Sequence, residues 1–125
     1  MTSPAERRVV VLGASDNPER YSFRAVRELV AQGFVTIPVH PHTNTILGLP
    51  VHGSLETITE SVDTITVYVS PQHSSSMIGS IVKLQPNRVI LNPGAENPDL
   101  EKALDRAGIP WLHACSLVLL STGRF

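Results

Sequence analysis

Cysteine is almost missing from this chain: Cys115 stands alone among 125 residues. No internal disulfide can form, and a reducing compartment is favoured. Aromatic residues are scarce at 5%, so an interior built from them is excluded. Charge of one sign is lacking as well. The net charge of −1 removes any electrostatic basis for nonspecific nucleic-acid or membrane binding. No apolar run is long enough to span a bilayer, and Met1 to Arg8 holds no apolar core of a signal peptide. These absences predict a soluble cytoplasmic domain.

What is present is aliphatic. Hydrophobic content of 42% suits a sheet filled by Val, Ile and Leu. The length fits one domain, residues 1–125, with a core that needs no disulfide.

Strand-like and helix-like segments alternate along the whole sequence, with no linker between them. Arg8–Leu12 reads as a buried parallel strand. Tyr21–Gln32 reads as a helix, with Phe23, Val26, Leu29 and Val30 on one face and Gly33 as its stop. Phe34–Val39 is a second strand, closed by His40-Pro41. Thr43–Gly53 reads as a loop, and Ser54 to Ile58 as a short capped helix. Asp63–Ser70 predicts a third strand, and Pro71 opens a helix reaching Leu84.

Arg88–Leu91 predicts a fourth strand. Asn97-Pro98-Asp99-Leu100-Glu101 is a helix start with capping Asn, proline at the first helical position and acids at the positive end. Gly108 ends that helix, and Ile109–Ala114 gives a fifth strand. Ser116–Phe125 carries no clear assignment. Strand–helix alternation of this kind predicts an α/β fold: a five-stranded, mostly parallel sheet with right-handed crossovers.

In open parallel sheets, ligands bind beyond the carboxyl ends of the strands. Four loops fall there: Gly13 to Pro18, His40-Pro41-His42, Ser70-Pro71-Gln72 and Asn92 to Glu96. Each is rich in small, polar or proline residues, which make ordinary turns and also let backbone approach a ligand. Four such loops at one edge favour a site. The run Val9 to Ser15, a strand meeting Gly13 before a helix, is the arrangement that offers backbone N–H groups to a phosphate.

The dinucleotide fingerprint Gly-x-Gly-x-x-Gly is incomplete here, because Ser15 and Pro18 stand at its second and third glycines. A NAD site also wants an acid after the second strand, and none occurs between Gln32 and Glu56. His40, His42 and a nearby Arg24 suit a ribose bearing a phosphate, which points to NADP or to the 3′-phosphate of coenzyme A. Metal is disfavoured: His40, His42 and His52 lack spaced partners to complete a zinc set. His73 and His113 read as surface or strand-end residues. Cys115 and His113 share one strand face, yet nothing nearby marks a thiolate. Asp16, Glu19 and Glu96 form no acid–base spacing.

The motifs Leu12 to Pro18, Val39-His40-Pro41, Leu47 to Val51, Ser54-Leu55 and Asn92 to Asn97 together resemble the small stand-alone CoA-binding domains. That family is similar to the N-terminal CoA-binding domain of the succinyl-CoA synthetase α subunit, and the resemblance runs from Arg8 to Gly123. It implies a Rossmann-like three-layer sandwich and coenzyme A or acyl-CoA as ligand. By position it implies Gly13, Ala14, Ser15 and Asn17 at the phosphates, with Tyr21, Ser22 and Arg24 beside them. Pro41 and His42 would flank the adenosine end. Val69, Ser70 and Pro71 would line the ligand's path, and Asn92, Pro93 and Gly94 the far wall. Synthetase relatives commonly carry lysine after this proline, where His42 and Thr43 stand here. The synthetase's phosphohistidine belongs to a further domain that this sequence does not contain.

Three functions follow as expectations. The first is a CoA or acyl-CoA binding protein without catalytic machinery. The second is an enzyme, NADP-linked or transferring a CoA thioester through Cys115 or a histidine. The third is a scaffold with a vestigial site, in which Leu117 to Leu120 packs on the sheet or forms a homodimer contact.

Overall fold

Val9 and Val11 enter one hydrophobic cluster and Val10 and Leu12 another, so the first strand is buried on both sides. Only an inner strand of a sheet covered by helices on each face can do this. The computed structural model describes residues 3–125. In chain order its first half comprises β1 (Arg8–Leu12), α1 (Tyr21–Ala31), β2 (Val35–Val39), β3 (Thr45–Ile46), β4 (Leu49–Pro50) and β5 (Thr64–Val67). The second half comprises α2 (Pro71–Ser74), α3 (Ile78–Lys83), β6 (Arg88–Leu91), α4 (Pro98–Ala107), β7 (Trp111–His113) and α5 (Ser116–Ser121).

Five strands form one sheet in the order β2-β1-β5-β6-β7, and every neighbouring pair is parallel. Phe23, Val26 and Leu29 of α1 and Leu120 of α5 cover one face with Val9 and Val11. Ile81 of α3 with Leu100 and Leu104 of α4 cover the other, against Val10, Leu12, Ile65, Val67, Val89 and Leu91. The result is the expected α/β Rossmann-like sandwich of three layers. As an outermost strand, β2 tolerates Pro38, which cannot donate to a ladder.

Several local expectations are corrected. The segment read as a loop over Thr43–Gly53 contains the antiparallel pair β3–β4, joined through Leu47 (φ 51°) and Gly48 (φ 77°). Two consecutive left-handed residues make the tight turn whose twist matches a hairpin. The expected helix from Pro71 to Leu84 is broken by a 3₁₀ turn at Ser75–Met77. Serine causes the break: Ser75 Oγ donates to the Pro71 carbonyl at 2.8 Å and Ser76 Oγ to the His73 carbonyl at 3.0 Å. Ser54 to Ile58 is a 3₁₀ turn over Leu55–Thr57 without a side-chain cap.

The third and fifth strands pair only over Thr64–Val67 and Trp111–His113. The unassigned tail forms α5, with Leu120 buried and Val118 turned outward. Among the described residues, no helix is long and apolar enough to cross a membrane. The leader reading over Met1 to Arg8 reaches in part outside the described residues, since Met1 and Thr2 are not among them.

Candidate functional site

β1 has β2 on one side and β5 on the other, so the chain reverses its direction of travel across the sheet at β1. At such a switch point the loops leaving adjacent strands part and open a crevice at their carboxyl ends. Here the crevice is an open cleft of about 800 Å³, within the range of cofactor sites. Gly13, Ala14 and Ser15 form its floor, Arg20, Tyr21 and Ser22 one rim, and His40, Pro41 and His42 the end beyond β2. Across from them stand Val69, Ser70 and His73, with Met77, Ser80, Ser54, Leu55, Glu56 and Pro93 completing the wall.

Ten of the residues expected at the ligand therefore share one cavity: Gly13, Ala14, Ser15, Tyr21, Ser22, Pro41, His42, Val69, Ser70 and Pro93. Five do not line it. Asn17 builds the β1 loop: its Oδ1 accepts from Glu19 N–H, and its own N–H donates to Ser15 Oγ, both at 3.0 Å. Arg24 lies a helical turn further along α1, its guanidinium carbon 5.6 Å from the Tyr21 ring centre. It borders a shallow depression with Leu117 and Val118 instead. Pro71 starts α2 without reaching the cavity. Gly94 (φ 93°) shapes its turn, its N–H donating to Glu96 Oε1 at 2.9 Å.

Asn92 is structural. It is buried, and its Nδ2 donates to Thr66 Oγ1 at 2.7 Å and the Val67 carbonyl at 2.9 Å. Its Oδ1 accepts from Ser116 N–H at 2.8 Å. One amide side chain thus ties β5 and β6 to the start of α5, leaving it no donor for a ligand.

The amide donors are also redistributed. Gly13 and Ala14 were expected to present N–H groups to phosphate, but both donate to the Val39 carbonyl at 3.1 Å. The β1 loop must lean on the end of β2, and that contact consumes them. They shape the floor rather than donate from it. The N–H groups of Ser15, Asp16, Tyr21 and Ser22 make no hydrogen bond among the described residues, and no side chain caps α1. Open amides at an uncapped helix start are what an anion needs.

Arg20, Glu56 and His73 are site residues the sequence reading did not assign to the ligand, with His73 read as a surface or strand-end residue. His40, read there together with His42, does line the cleft. The position just before α1 could have marked Arg20, since a residue there faces whatever binds the helix end. Nothing local marks Glu56, which arrives from the distant 3₁₀ turn. Hydrogen bonds from Ser80 and then Ser54 hold its carboxyl below the usual range. The Ser80 bond is 2.7 Å.

Tyr68, at the end of β5, also borders the cleft. Burial, with a smaller contribution from Cys115, pushes its phenol up to about 12. Cys115 itself precedes α5 and is not part of the wall.

The CoA binding domain family matches residues 7–121 of this sequence, nearly the whole chain. The chain belongs to that family. The domain is similar to an uncharacterized protein of known crystal structure, at 38% identity and a TM-score of 0.90, over 95% of this chain and 98% of that one. A Thermus thermophilus protein of solved structure follows at 30% identity and a TM-score of 0.87, over 95% of this chain and 90% of the other. The uncharacterized protein YneT of Bacillus subtilis is 32% identical over 62 residues, half of this chain. That match spans only 46% of YneT's own length.

Proposed function

We propose that this domain is a coenzyme A or acyl-CoA binding module that performs no chemistry of its own. The observation that carries this reading is the open cleft at the switch point, whose lining brings the unengaged amides of Ser15, Tyr21 and Ser22 together with Arg20. Those donors suit a diphosphate. The apolar stretch of Leu55, Val69, Met77 and Pro93 suits the neutral arm of the cofactor. Membership in the CoA binding domain family supports the same ligand. In this reading the module works in the cytoplasm as a sensor or carrier of acyl-CoA, and Val118, exposed on α5, is a candidate homodimer contact.

Calorimetric titration of the purified protein with CoA, and with NADP as the contrast, tests the proposal. Heat from CoA in the micromolar range with none from NADP supports it. No heat from CoA at high micromolar ligand, with the fold intact by circular dichroism, overturns it. Mass spectrometry of the protein as purified gives a second readout, the mass of any co-purified ligand.

A further inference from the structure

Among the described residues, Glu56 is the one carboxylate in the lining of the cleft. Arg20 supplies a fixed cation there, and His40, His42 and His73 bring imidazoles. An acid is out of place beside phosphates, because each phosphate of the ligand is itself an anion. The part of the ligand that reaches Glu56 must therefore be uncharged.

The neighbours of Glu56 narrow down which part that is. Leu55 and Met77 are two of the apolar residues that suit the neutral arm of the cofactor. Glu56 directly follows Leu55 in its 3₁₀ turn. Ser80, on α3, follows Met77 by three positions, a spacing that puts neighbours on one helical face. An apolar pair is thus succeeded along the wall by a polar pair. The members of the polar pair meet: Ser80 Oγ donates to Glu56 Oε1 at 2.7 Å. Hydrogen bonds from Ser80 and Ser54 favour the ionised carboxyl, and so does the charge of Lys83, which does not itself line the cleft. Glu56 is exposed, anionic and held from α3.

We infer that Glu56 reads the acyl end of the ligand, admitting uncharged acyl groups and rejecting those that end in a carboxylate. The inference rests on the CoA reading above and names the class of thioester the cleft takes. An arm laid along Leu55 and Met77 brings its sulfur, and the acyl group on that sulfur, to the Glu56–Ser80 pair. A carboxylate delivered there meets a like charge in a partly solvated site, which costs roughly fivefold in affinity. An uncharged chain meets no such penalty.

Malonyl-CoA and isovaleryl-CoA test this, since their acyl groups have nearly the same shape and only malonyl ends in a carboxylate. Both are titrated calorimetrically at about pH 7.5, where carboxylates are ionised. The wild-type protein is expected to bind isovaleryl-CoA more tightly, by roughly fivefold or more. That ratio of affinities should fall about fivefold in Glu56→Gln, whose amide oxygen can still accept from Ser80. Glu56→Lys should reverse the preference. Salt raised to about 0.5 M should shrink the ratio in the wild-type protein, a readout that needs no variant and that a preference for shape alone does not move. A ratio unchanged in Glu56→Gln, or a wild-type ratio indifferent to salt, overturns the inference while leaving CoA binding intact. If neither thioester nor CoA binds the wild-type protein, with its fold intact by circular dichroism, the ligand reading itself is overturned, and this inference with it.

Discussion

Gly13 and Val69 touch across the switch point so closely that a Cβ on Gly13 would lie 2.7 Å from Val69 Cγ1 and 3.3 Å from the Val69 amide nitrogen. The glycine's φ of +85° is itself a conformation that side chains resist. The loops after β1 and β5 are therefore locked at their base and part only further out, where the cleft opens. Gly13→Ala should lower stability by roughly 2–4 kcal/mol, from strain and overpacking together. Urea denaturation measures this. In Gly13→Ala/Val69→Ala the shorter side chain removes the closest clash, so the double variant should lose less than the sum of the two single changes. Strict additivity would show that the contact does not lock the loops.

Asn97 joins α4 to the wall of the site. Its Oδ1 accepts from the N–H groups of Asp99 at 3.1 Å and Leu100 at 3.4 Å, capping the helix. Its Nδ2 donates to Ser74 Oγ at 2.8 Å and Ser75 Oγ at 3.2 Å, and the residue is buried. Asn97→Ala loses the cap and leaves the buried Ser74 hydroxyl without this partner, a combined cost of roughly 2–4 kcal/mol. Asn97→Asp keeps the cap and should lose less. Chemical denaturation of both variants checks the ranking.

The cap at Asn97 was legible because its chemistry is local: Asn, then Pro, then acids, with Gly108 eleven residues on in the left-handed conformation (φ 72°). The parallel sheet was legible for a similar reason, since Val9 to Leu12 is apolar on both faces. What was not legible depends on distant partners. No pattern within Gly13-Ala14 reveals that the Val39 carbonyl consumes both amides. Asn92 looks like a loop residue open to ligand until Ser116, twenty-four positions away, takes its oxygen. Arg24 and Arg20 are both basic residues near the start of α1, and only the helix boundary at Tyr21 decides which one faces the cleft. The break in the helix after Pro71 turns on which serine hydroxyls bond backward to carbonyls.

Asp63 predicts an acid limit to stability. Burial works against its charged form, but hydrogen bonds from Thr64, Arg7 and Asn87 and the charge of Arg7 outweigh it, and the carboxyl lies below its usual range. Arg7 Nε is 3.0 Å away. A carboxyl depressed in the folded state contributes stability above its unfolded pKa of about 4 and loses it as pH falls through the folded value. Stability should decline below about pH 4, and Asp63→Asn should flatten that part of the curve while lowering stability at neutral pH. Urea midpoints measured from about pH 7 down to about pH 3 read out both effects. An acid limb unchanged in Asp63→Asn would remove Asp63 as its source.

Tyr68 predicts the opposite end of the pH scale. Its hydroxyl is buried without a hydrogen-bond partner among the described residues. Burial raises the phenol to about 12 in the folded protein, against about 10 in the unfolded chain. A group raised in this way contributes fully below about pH 10, and its contribution is lost as pH climbs toward the folded value. Tyr68→Phe removes an unsatisfied buried hydroxyl, so stability at neutral pH should stay level or rise by up to about 1 kcal/mol. The same change should delete the late phenolate step from an ultraviolet absorbance titration. A loss of more than about 1 kcal/mol in Tyr68→Phe would mean that the hydroxyl has a partner, bound water included, worth more than its burial costs.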